Sequence, residues 1–444
     1  MANVARDTGS VASYNKSVPP VTFEQAREIV LSRVRAALQR SATESASLES
    51  AAGRVLAEDV AADRDCPPLD RSVRDGYAVR SSDVPGKLRL AGEVRAGQRH
   101  SGSLGPGDAV SIMTGAPIPE GADAVIMIEH TSRENGWIRT EAPATPRQFI
   151  NPRGCEAVAR QTVLRSGKRL DYTDIAMLAS FGHASVQVFA RPVVAILPTG
   201  DEIVELDQTP RDFEIRNSNA YSLAVQVARA GGVPRRMPVA RDTVEETRRA
   251  IEIALGLQPP ETPRSRSRLG SEPPPEGAVA PGRVFSRADL LLLSGGVSAG
   301  KYDVVEQALA DLGAEFYFDR ALIQPGQPVV FGKVASQFFF GLPGNPSSTT
   351  VTFEIFARAA LELLGGQEET MLPITWARLT RDFRHRAGLT RFLPARLSGD
   401  GELTPVEWQG SGDVPALTRA NAFLVTDPER PEYKAGEWIR VLLK

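Results

Sequence analysis

The sequence predicts a multidomain protein of the α/β plus β class. It would contain a central βαβ domain with a parallel sheet, an inserted β-rich domain and a C-terminal β domain. Strand-length apolar runs alternate with amphipathic helical segments over residues 192–368. Short apolar pieces between Gly, Pro, Asn and Asp turns fill residues 65–155 and 369–444. The 444 residues also exceed one typical domain core, which predicts several domains.

The N-terminal region begins with small and polar residues, so residues 1–19 are predicted to form a disordered arm. Thr22 and Gln25 have the spacing of a capping box and start the helical segment "TFEQAREIVLSRVRAALQR". The segment "LESAAGRVLAEDV", residues 48–60, is interpreted as a second helix. Residues 20–64 therefore contribute to a linker or helical domain.

The second part of that linker domain is residues 156–191. There the segment "YTDIAMLASFG" is predicted to be a helix, with Asp171 or Thr173 near its cap and Gly182 beyond its end. The inserted β-rich domain, residues 65–155, would lie between the two linker parts.

The central domain is interrupted by a segment of a different composition. Residues 257–283, "LQPPETPRSRSRLGSEPPPEGAVAPGR", are rich in proline and charge and lack periodicity. Such a composition buries too little apolar surface to offset the entropy of ordering, so it predicts a disordered surface insertion.

Composition excludes several classes of function. The formal net charge of -2 does not favour nucleic acid as a partner. Cys66 and Cys155 form no C-x-x-C pattern, which fits a reducing cytoplasm and argues against a zinc cluster or disulfide framework. No secretory signal is expected, and no apolar run approaches the ~20 residues of a membrane span. The four histidines lack ligand or triad spacing.

Glycine-rich and hydroxyl-bearing loops follow three apolar strands of the central domain. In an open parallel sheet such loops meet at the carboxyl edge, where ligands bind, and glycine lets backbone N–H groups approach an anion. The loops are Pro198–Glu202, Ser294–Asp303 and Gly341–Ser348. Each loop alone is also explained as a plain turn, and Pro346 is explained by helix capping.

Four acidic residues are predicted at the same edge: Asp201, Glu202, Asp242 and Asp303. Carboxylates beside a phosphate site repel the phosphate unless a hard divalent cation lies between them. The combination therefore predicts a phosphate or pyrophosphate bridged by Mg²⁺. The alternative for Asp201, Asp242 and Asp303 is that each one caps the following helix.

The segment "LDRSVRDGYAVR", residues 69–80, contains Asp70, Arg74 and Asp75. No helix or strand periodicity accounts for their occurrence together. The structural explanation of the segment is a turn that bends at Asp75-Gly76.

Together these segments resemble one family. "RDGYAVR", "IMTGAPIPEGADAVIM", "LPTGDEI", "SGGVSAGKYD", "QPGQPVVFGK" and "GLPGNPSS" occur in the order found in molybdopterin molybdenumtransferases, which include the E domain of gephyrin-like proteins. The resemblance covers residues 20–444, and the motifs are specific as a set. It implies that residues 192–368 are a molybdopterin-binding-type domain.

The resemblance also implies an activity. Members of the family insert molybdate into adenylylated molybdopterin, release AMP and so complete the molybdenum cofactor, and they require Mg²⁺. They form elongated homodimers whose active site lies between the βαβ domain of one subunit and the β domain of the other.

Residue roles are carried over by motif. Asp75, acting from the partner subunit, Asp242 and Asp303 would be catalytic, and Glu202, Asp201 and Asp303 would hold the metal. Arg391, Ser411 and Gln327 would bind molybdate. The substrate would be bound by Thr114, Thr199, Gly200, Ser294, Gly295, Gly296, Ser298, Pro343, Gly344, Asn345 and Ser348.

The sequence departs from the family pattern at three places. Gln324 and Gln327 stand where the family often has lysines, so the oxyanion would depend more on Arg391 and Lys333. Arg74 replaces a common methionine. Cys155 and Glu156 stand in the family's acidic R-G-E-D segment.

Two other functions remain open from the sequence. The two glutamines also suit a pterin-nucleotide binding or scaffold protein without turnover. A related pyrophosphatase would release AMP without any dependence on molybdate. The "TRF" and "WQGSG" segments of the last domain suit an oxyanion site and favour the transferase.

Overall fold

The computed structural model describes residues 19–38, 42–258, 287–296 and 304–444. Most of the expected arm and of the expected insertion at 257–283 therefore lies outside the described residues, as do Ser298 and Asp303. None of the described helices is both long and apolar enough to cross a membrane.

The chain divides into two compact units. The larger unit contains the described residues of Met1–Glu44, Gly53–Val55 and Phe189–Lys444, and the smaller unit contains Ser45–Ala52 and Leu56–Val188. Strands Thr43–Ser47 and Ser185–Phe189 each contain a boundary between the units.

The smaller unit is built on a six-stranded sheet. Its strands, in spatial order, are Ala124–Met127, Gly76–Val79, Asp108–Ile112, Gly86–Val94, Trp137–Thr140 and Thr131–Glu134. All neighbours pair antiparallel except Gly86–Val94 with Asp108–Ile112, which are parallel. Burial on both faces of Gly76–Val79 makes this strand the centre of the small core.

Short elements complete the smaller unit. Two-stranded pairs join Arg71–Ser72 to Ile150–Asn151 and Val60–Ala61 to Thr162–Leu164. The remaining elements are helices Leu48–Ala51 and Tyr172–Ser180 and the single 3₁₀ turns Ser81–Asp83 and Ile128–His130.

Two expectations for the linker region differ from the structure. The predicted helix over 48–60 is confined to Leu48–Ala51, because Gly53 adopts a positive φ and the chain turns there into strand Val60–Ala61. Helix Phe23–Ala37 begins with the predicted capping box, but its apolar face packs into the core of the larger unit.

The larger unit contains the predicted βαβ domain. Its six-stranded sheet has the spatial order Val233–Arg236, Val193–Pro198, Leu290–Ser294, Gln337–Leu342, Val330–Val334 and Glu315–Phe318. The first four strands are parallel, and the last two pair antiparallel. The sheet is therefore mixed rather than parallel, because Val330–Val334 and Gln337–Leu342 form a hairpin instead of a helical crossover.

Helices cover both faces of this sheet and produce two apolar cores. The helices are Ser218–Arg229, Val244–Ala254, Val304–Asp311 and a long rod made of Pro346–Thr352, the π-helical turn Phe353–Ala357 and Arg358–Leu364. A small parallel pair, Ile203–Val204 with Ile215–Arg216, follows the first strand.

The C-terminal domain is a closed barrel. Strands Thr390–Leu397, Glu402–Pro405, Ile374–Leu379, Trp438–Leu443 and Ala422–Val425 pair in a ring, and Ile323–Gln324 adds to Thr390–Leu397 at its edge. Phe383–Arg384 pairs with Glu432–Tyr433, and helix Val414–Arg419 precedes the last strands. Phe392 and Phe423 contribute to the same core as the sheet, which joins barrel and sheet within the larger unit.

Candidate active site

The carboxyl ends of the three central parallel strands lie level with one another. Pro198 pairs with Ser294, and Ser294 pairs with Leu342. The loops that follow these residues therefore meet at one edge of the sheet, as expected for an open parallel sheet. They line a cavity of about 320 Å³, here called the loop cavity.

Seven of the predicted substrate-binding residues line the loop cavity, together with Glu202 from the acidic set. These seven are Thr199, Ser294, Gly295, Gly296, Pro343, Gly344 and Asn345. Among the described residues of the lining, Glu202 and Arg216 carry charge, and their charges are opposite.

Gly295 allows the loops to approach closely. Its φ of +102° is in the region that side chains rarely adopt, and a Cβ there would lie 2.3 Å from the carbonyl oxygen of Thr199. Any other residue would push the two loops apart, so this part of "SGG" has a steric requirement for glycine.

Asn219, which sequence reasoning missed, ties two of these loops together. It lies in the first turn of helix Ser218–Arg229, and its Nδ2 donates to Ser294 Oγ at 3.0 Å and to the Gly344 carbonyl at 2.7 Å. In the sequence, "NSNA" indicates only a helix cap, and Asn217 does accept from the Ala220 N–H. Only the fold shows that the next asparagine faces the loops.

Several buried polar atoms at this edge have no hydrogen-bond partner among the described residues. They include Thr199 Oγ1, Asn219 Oδ1, Gln324 Oε1 and Ser347 Oγ. Buried polar atoms in folded proteins are nearly always satisfied, so such a cluster indicates groups that a ligand or water completes.

A second cavity, of about 760 Å³, adjoins the first and is here called the arginine cavity. Pro328, Pro343 and Asn345 line both cavities. The arginine cavity is lined by all three residues predicted to bind molybdate, Arg391, Ser411 and Gln327, and also by Ser348.

The arginine cavity is cationic. Among the described residues, its lining contains the side chains of Arg386 and Arg391 and no carboxylate. Burial, together with the neighbouring charge of Arg386, lowers the pKa of Arg391. An arginine whose pKa is lowered in this way is electrostatically uncompensated, which is the condition that favours binding of an anion.

The positive end of the long helical rod also faces this cavity. Asn345 and Ser348 from its first turn are part of the lining. The Ser347 N–H donates to the carbonyl of Ser411 at 2.9 Å, which fixes the 408–411 segment against the helix start. Helix N-termini favour anions, so this arrangement adds to the arginine charges.

Arg386 and Trp408 were not predicted from the sequence. Both line the arginine cavity, and Gln324 lies in the same wall. A basic cluster is visible in "RHRAGLTRF", but no pattern in it distinguishes a cavity-lining arginine from a surface arginine.

Asp201 and Asp242 lie beside the loop cavity and form a reciprocal pair. The Asp201 N–H donates to the Asp242 carboxylate at 3.4 Å, and the Asp242 N–H donates to the Asp201 carboxylate at 3.3 Å. Neither carboxylate forms an ion pair with a described lysine or arginine. Gly200 precedes the pair with φ +150°, and a Cβ at this position would lie 2.6 Å from a carboxylate oxygen of Glu202.

A group of three or more metal-ligating side chains does not occur among residues 19–38, 42–258, 287–296 and 304–444. The carboxylates that are described still fit Mg²⁺, because this ion usually takes one or two protein carboxylates and completes its shell with phosphate and water.

Asp75 and Thr114 lie in the smaller unit and contact each other. The Asp75 carboxylate accepts from the Thr114 N–H at 2.6 Å and from the Thr114 Oγ1 at 2.8 Å. These two hydrogen bonds lower the pKa of Asp75. The exposed carboxylate is therefore held in its ionised form in a defined orientation.

Comparison with known proteins defines the class. Three family descriptions match the chain: "MoeA N-terminal region (domain I and II)" over 21–182, "Probable molybdopterin binding domain" over 278–363 and "MoeA C-terminal region (domain IV)" over 376–444. The chain thus combines a molybdopterin-binding-type domain with the two regions that flank it in MoeA proteins.

Individual relatives are more specific. The molybdopterin molybdenumtransferase of Bacillus subtilis (strain 168) is 33% identical over 415 residues, which is 90% of each chain. That of Haemophilus influenzae (strain Rd) is 33% identical over 429 residues, covering 95% of this chain and 98% of the relative. The chain therefore belongs to the molybdopterin molybdenumtransferase family.

Solved structures agree. The molybdopterin biosynthesis moeA protein from Pyrococcus horikoshii OT3 is 26% identical, with a TM-score of 0.74 over 96% of this chain and 100% of that one. A second structure of a Pyrococcus moeA protein has a TM-score of 0.68 at 29% identity.

Proposed function

We propose that this protein is the transferase that inserts molybdate into adenylylated molybdopterin and releases AMP, the last step of molybdenum cofactor biosynthesis. The observation that carries the proposal is the shared wall of the two cavities, formed by Pro328, Pro343 and Asn345. A reaction between a tetrahedral dianion and a phosphorylated nucleotide needs two adjoining sites, one of them strongly cationic.

Molybdate would occupy the arginine cavity. Arg391 and Arg386 supply positive charge and N–H donors, and Ser348 and Ser411 supply hydroxyl groups. Guanidinium groups match the geometry of tetrahedral oxyanions, and the described lining residues include no carboxylate that would repel the anion. The amide of Gln327 contributes hydrogen bonds without charge.

The phosphorylated end of the pterin nucleotide would occupy the loop cavity. Because residue 295 is glycine, its loop approaches the Thr199 loop closely, and an anion could lie beside the backbone groups there. Asn219 holds the Ser294 and Gly344 loops together. The partnerless Thr199 Oγ1 and Asn219 Oδ1 provide a donor and an acceptor to the ligand.

Mg²⁺ is part of the proposal. Glu202, Asp201 and Asp242 are the described carboxylates that would hold it, and Asp303 is assigned to it by family resemblance. When bound, the ion would neutralise phosphate charge and stabilise charge that develops on the leaving AMP. Without a bound cation, these carboxylates would repel the phosphate.

We further propose that the active assembly is a homodimer in the cytoplasm, with Asp75 acting from the partner subunit. The support for this idea is the geometry of Asp75. Its exposed carboxylate is fixed by two hydrogen bonds from Thr114 and is therefore oriented to act on a group outside its own subunit. Mixing of inactive variants tests this idea. A chain with Asp75→Asn and a chain with Arg391→Ala would each be inactive, and random mixing would restore up to about a quarter of the activity.

The central test is release of AMP by the purified chain. Adenylylated molybdopterin and Mg²⁺ are supplied with and without molybdate, and AMP is quantified by chromatography. We expect AMP release that depends on molybdate. Absence of AMP in both arms overturns the proposal and favours a binding or scaffold protein, the alternative that Gln324 and Gln327 motivate. Equal release in both arms favours a pyrophosphatase.

A further inference from the structure

His385 contacts the arginine that the arginine cavity depends on. The Nε–H of Arg391 donates to His385 Nδ1 at 3.2 Å, and Arg391 Nη2 donates to the Arg386 carbonyl at 3.0 Å. The other ring nitrogen of His385, Nε2, lies 2.7 Å from the Arg430 carbonyl. The arginine is thus held from behind, with its remaining donors available to the cavity.

The hydrogen bond from Arg391 requires one form of His385. A guanidinium Nε carries hydrogen at any ordinary pH, so Nδ1 can accept from it only while Nδ1 carries no proton. The carbonyl of Arg430 can only accept, so Nε2 donates to it. The neutral imidazole protonated at Nε2 satisfies both of these partners, whereas a proton on Nδ1 would instead be directed to the Arg386 carbonyl, 3.1 Å away.

The ring has little freedom to satisfy its partners in another way. It stacks between Phe383 and Tyr433, with ring centroids at 5.8 Å and 6.1 Å and interplanar angles of 23° and 20°. Strand Phe383–Arg384 is itself paired with Glu432–Tyr433. A 180° flip of the ring would put Cδ2 in the place of Nδ1 and Cε1 in the place of Nε2, so the contacts with Arg391 and with the Arg430 carbonyl would both be lost.

We propose that His385 is a positioning residue that orients Arg391 for oxyanion binding only while its imidazole is neutral, so that oxyanion affinity falls when His385 is protonated. The inference rests on the proposed function, because it takes the arginine cavity as the oxyanion site. His385 does not line that cavity and acts through Arg391.

Protonation has a defined consequence in this geometry. With hydrogen on Nδ1, His385 would present a donor to the Arg391 Nε–H and lose that hydrogen bond. Nδ1 lies 3.1 Å from the Arg386 carbonyl, so the new N–H would donate there and compete with Arg391 Nη2. Both contacts that orient the guanidinium weaken in the same step.

The charges that face His385 are mostly positive or already paired. On its own segment these are Arg386 and Arg391. From the facing segment come Arg430, which is paired with Glu437, and Tyr433, whose Oη accepts from the Asp427 N–H. Glu432 is paired with Arg384 and Lys434. A protonated His385 would add a positive charge near Arg391, but solvent screens this charge. Its contribution to oxyanion affinity is smaller than the loss caused by weakening the two hydrogen bonds that orient Arg391.

The test uses the full chain and sulfate, a tetrahedral dianion that keeps its charge throughout the range studied. Sulfate affinity is measured at about pH 8 and about pH 5.5 by calorimetry and by tryptophan fluorescence, to which Trp408 in the cavity lining contributes. We expect affinity about tenfold lower at the acidic pH. In His385→Gln the amide accepts and donates at both pH values, so the affinity should be independent of pH. His130→Gln, a change at an exposed histidine of the smaller unit, should keep the wild-type dependence.

A second measurement is independent of any ligand. The chain has four histidines, so the imidazole nitrogen resonances of His385 can be assigned by comparison with His385→Gln. We expect the Nε2–H tautomer at about pH 8.

Three results overturn the inference: an Nδ1–H tautomer, an affinity that is constant or rises on acidification, or a pH dependence that His385→Gln retains. If neither sulfate nor molybdate binds at either pH, the oxyanion assignment of the proposed function fails as well. Binding without the pH dependence leaves that assignment intact.

Discussion

Thr114 holds the carboxylate of Asp75 with both its backbone N–H and its hydroxyl, at 2.6 Å and 2.8 Å. Because both hydrogen bonds favour the charged form, the pKa of Asp75 lies below its ordinary value. A group with a lowered folded-state pKa contributes to stability above its unfolded-state pKa, and the contribution is lost as pH falls through the folded-state pKa.

Thr114→Val should raise the pKa of Asp75, because it removes the hydroxyl donor and leaves the backbone donor. If Asp75 acts as a carboxylate, the acidic limb of the activity profile should move to higher pH. Carboxyl NMR and the pH profile of AMP release measure the two effects. Thr131→Val changes a partly exposed threonine elsewhere in the smaller unit; it is the control and should change neither. An unchanged Asp75 pKa in Thr114→Val would contradict this account.

Asn219→Ala should weaken binding of AMP and destabilise the larger unit. It removes the donor to Ser294 Oγ and to the Gly344 carbonyl, at a cost of about 1–3 kcal/mol in the free energy of unfolding. Urea unfolding and calorimetry with AMP measure the two effects. Asn421→Ala is a suitable control, because Asn421 also makes two hydrogen bonds, both to Leu397 in the barrel. The control should lose stability and keep AMP affinity; loss of affinity in both variants would show that AMP binding reports only general stability.

Arg391→Lys should raise the KM for molybdate by about ten- to a hundredfold, because a lysine cannot reproduce the planar fork or the hydrogen bond to His385. The KM for the adenylylated pterin should change little, since that ligand is assigned to the loop cavity. Arg396→Lys, an exposed position on the same strand, should leave both values unchanged. Equal increases in both KM values would argue against separate sites.

Gln327→Lys should strengthen oxyanion binding, because it adds a positive charge to a cavity that no carboxylate of the described residues lines. We expect a molybdate KM lower by several-fold, about 1 kcal/mol of binding free energy, and a steeper weakening with salt. Gln327→Met, of similar size and without charge, should bind molybdate more weakly than the wild type. A lysine variant that binds no better than the methionine variant would place Gln327 outside the oxyanion site.

Asp242→Asn should increase the Mg²⁺ concentration needed for half-maximal AMP release by about tenfold, because one of the two adjacent carboxylates loses its charge. Excess Mg²⁺ should recover part of the rate. Asp212→Asn changes an exposed acid of the same unit and should have no effect. If excess Mg²⁺ recovers nothing, Asp242 acts in another way than by holding the metal.

Local patterns predicted most of the helices and strands. The capping box of Thr22 and Gln25, the cap at Asp171 and the alternation over 192–368 all occur as expected. The helix over 48–60 was wrong beyond Ala51, and the parallel sheet was wrong at its hairpin. Whether two adjacent apolar segments join through a hairpin or a crossover depends on tertiary pairing, which local propensity does not encode.

The sequence by itself determined the order of the motifs, the strand-end loops and the residues assigned to them, because these depend on short-range chemistry. Only the tertiary structure decided that Thr199, Ser294 and Asn345 line one cavity, that Arg386 and Arg391 line an adjoining one, and that Asn219 and His385 hold their neighbours in place. These relationships join residues that are far apart in the chain. They follow from the register of the sheet and the closure of the barrel, and no local pattern of residues specifies them.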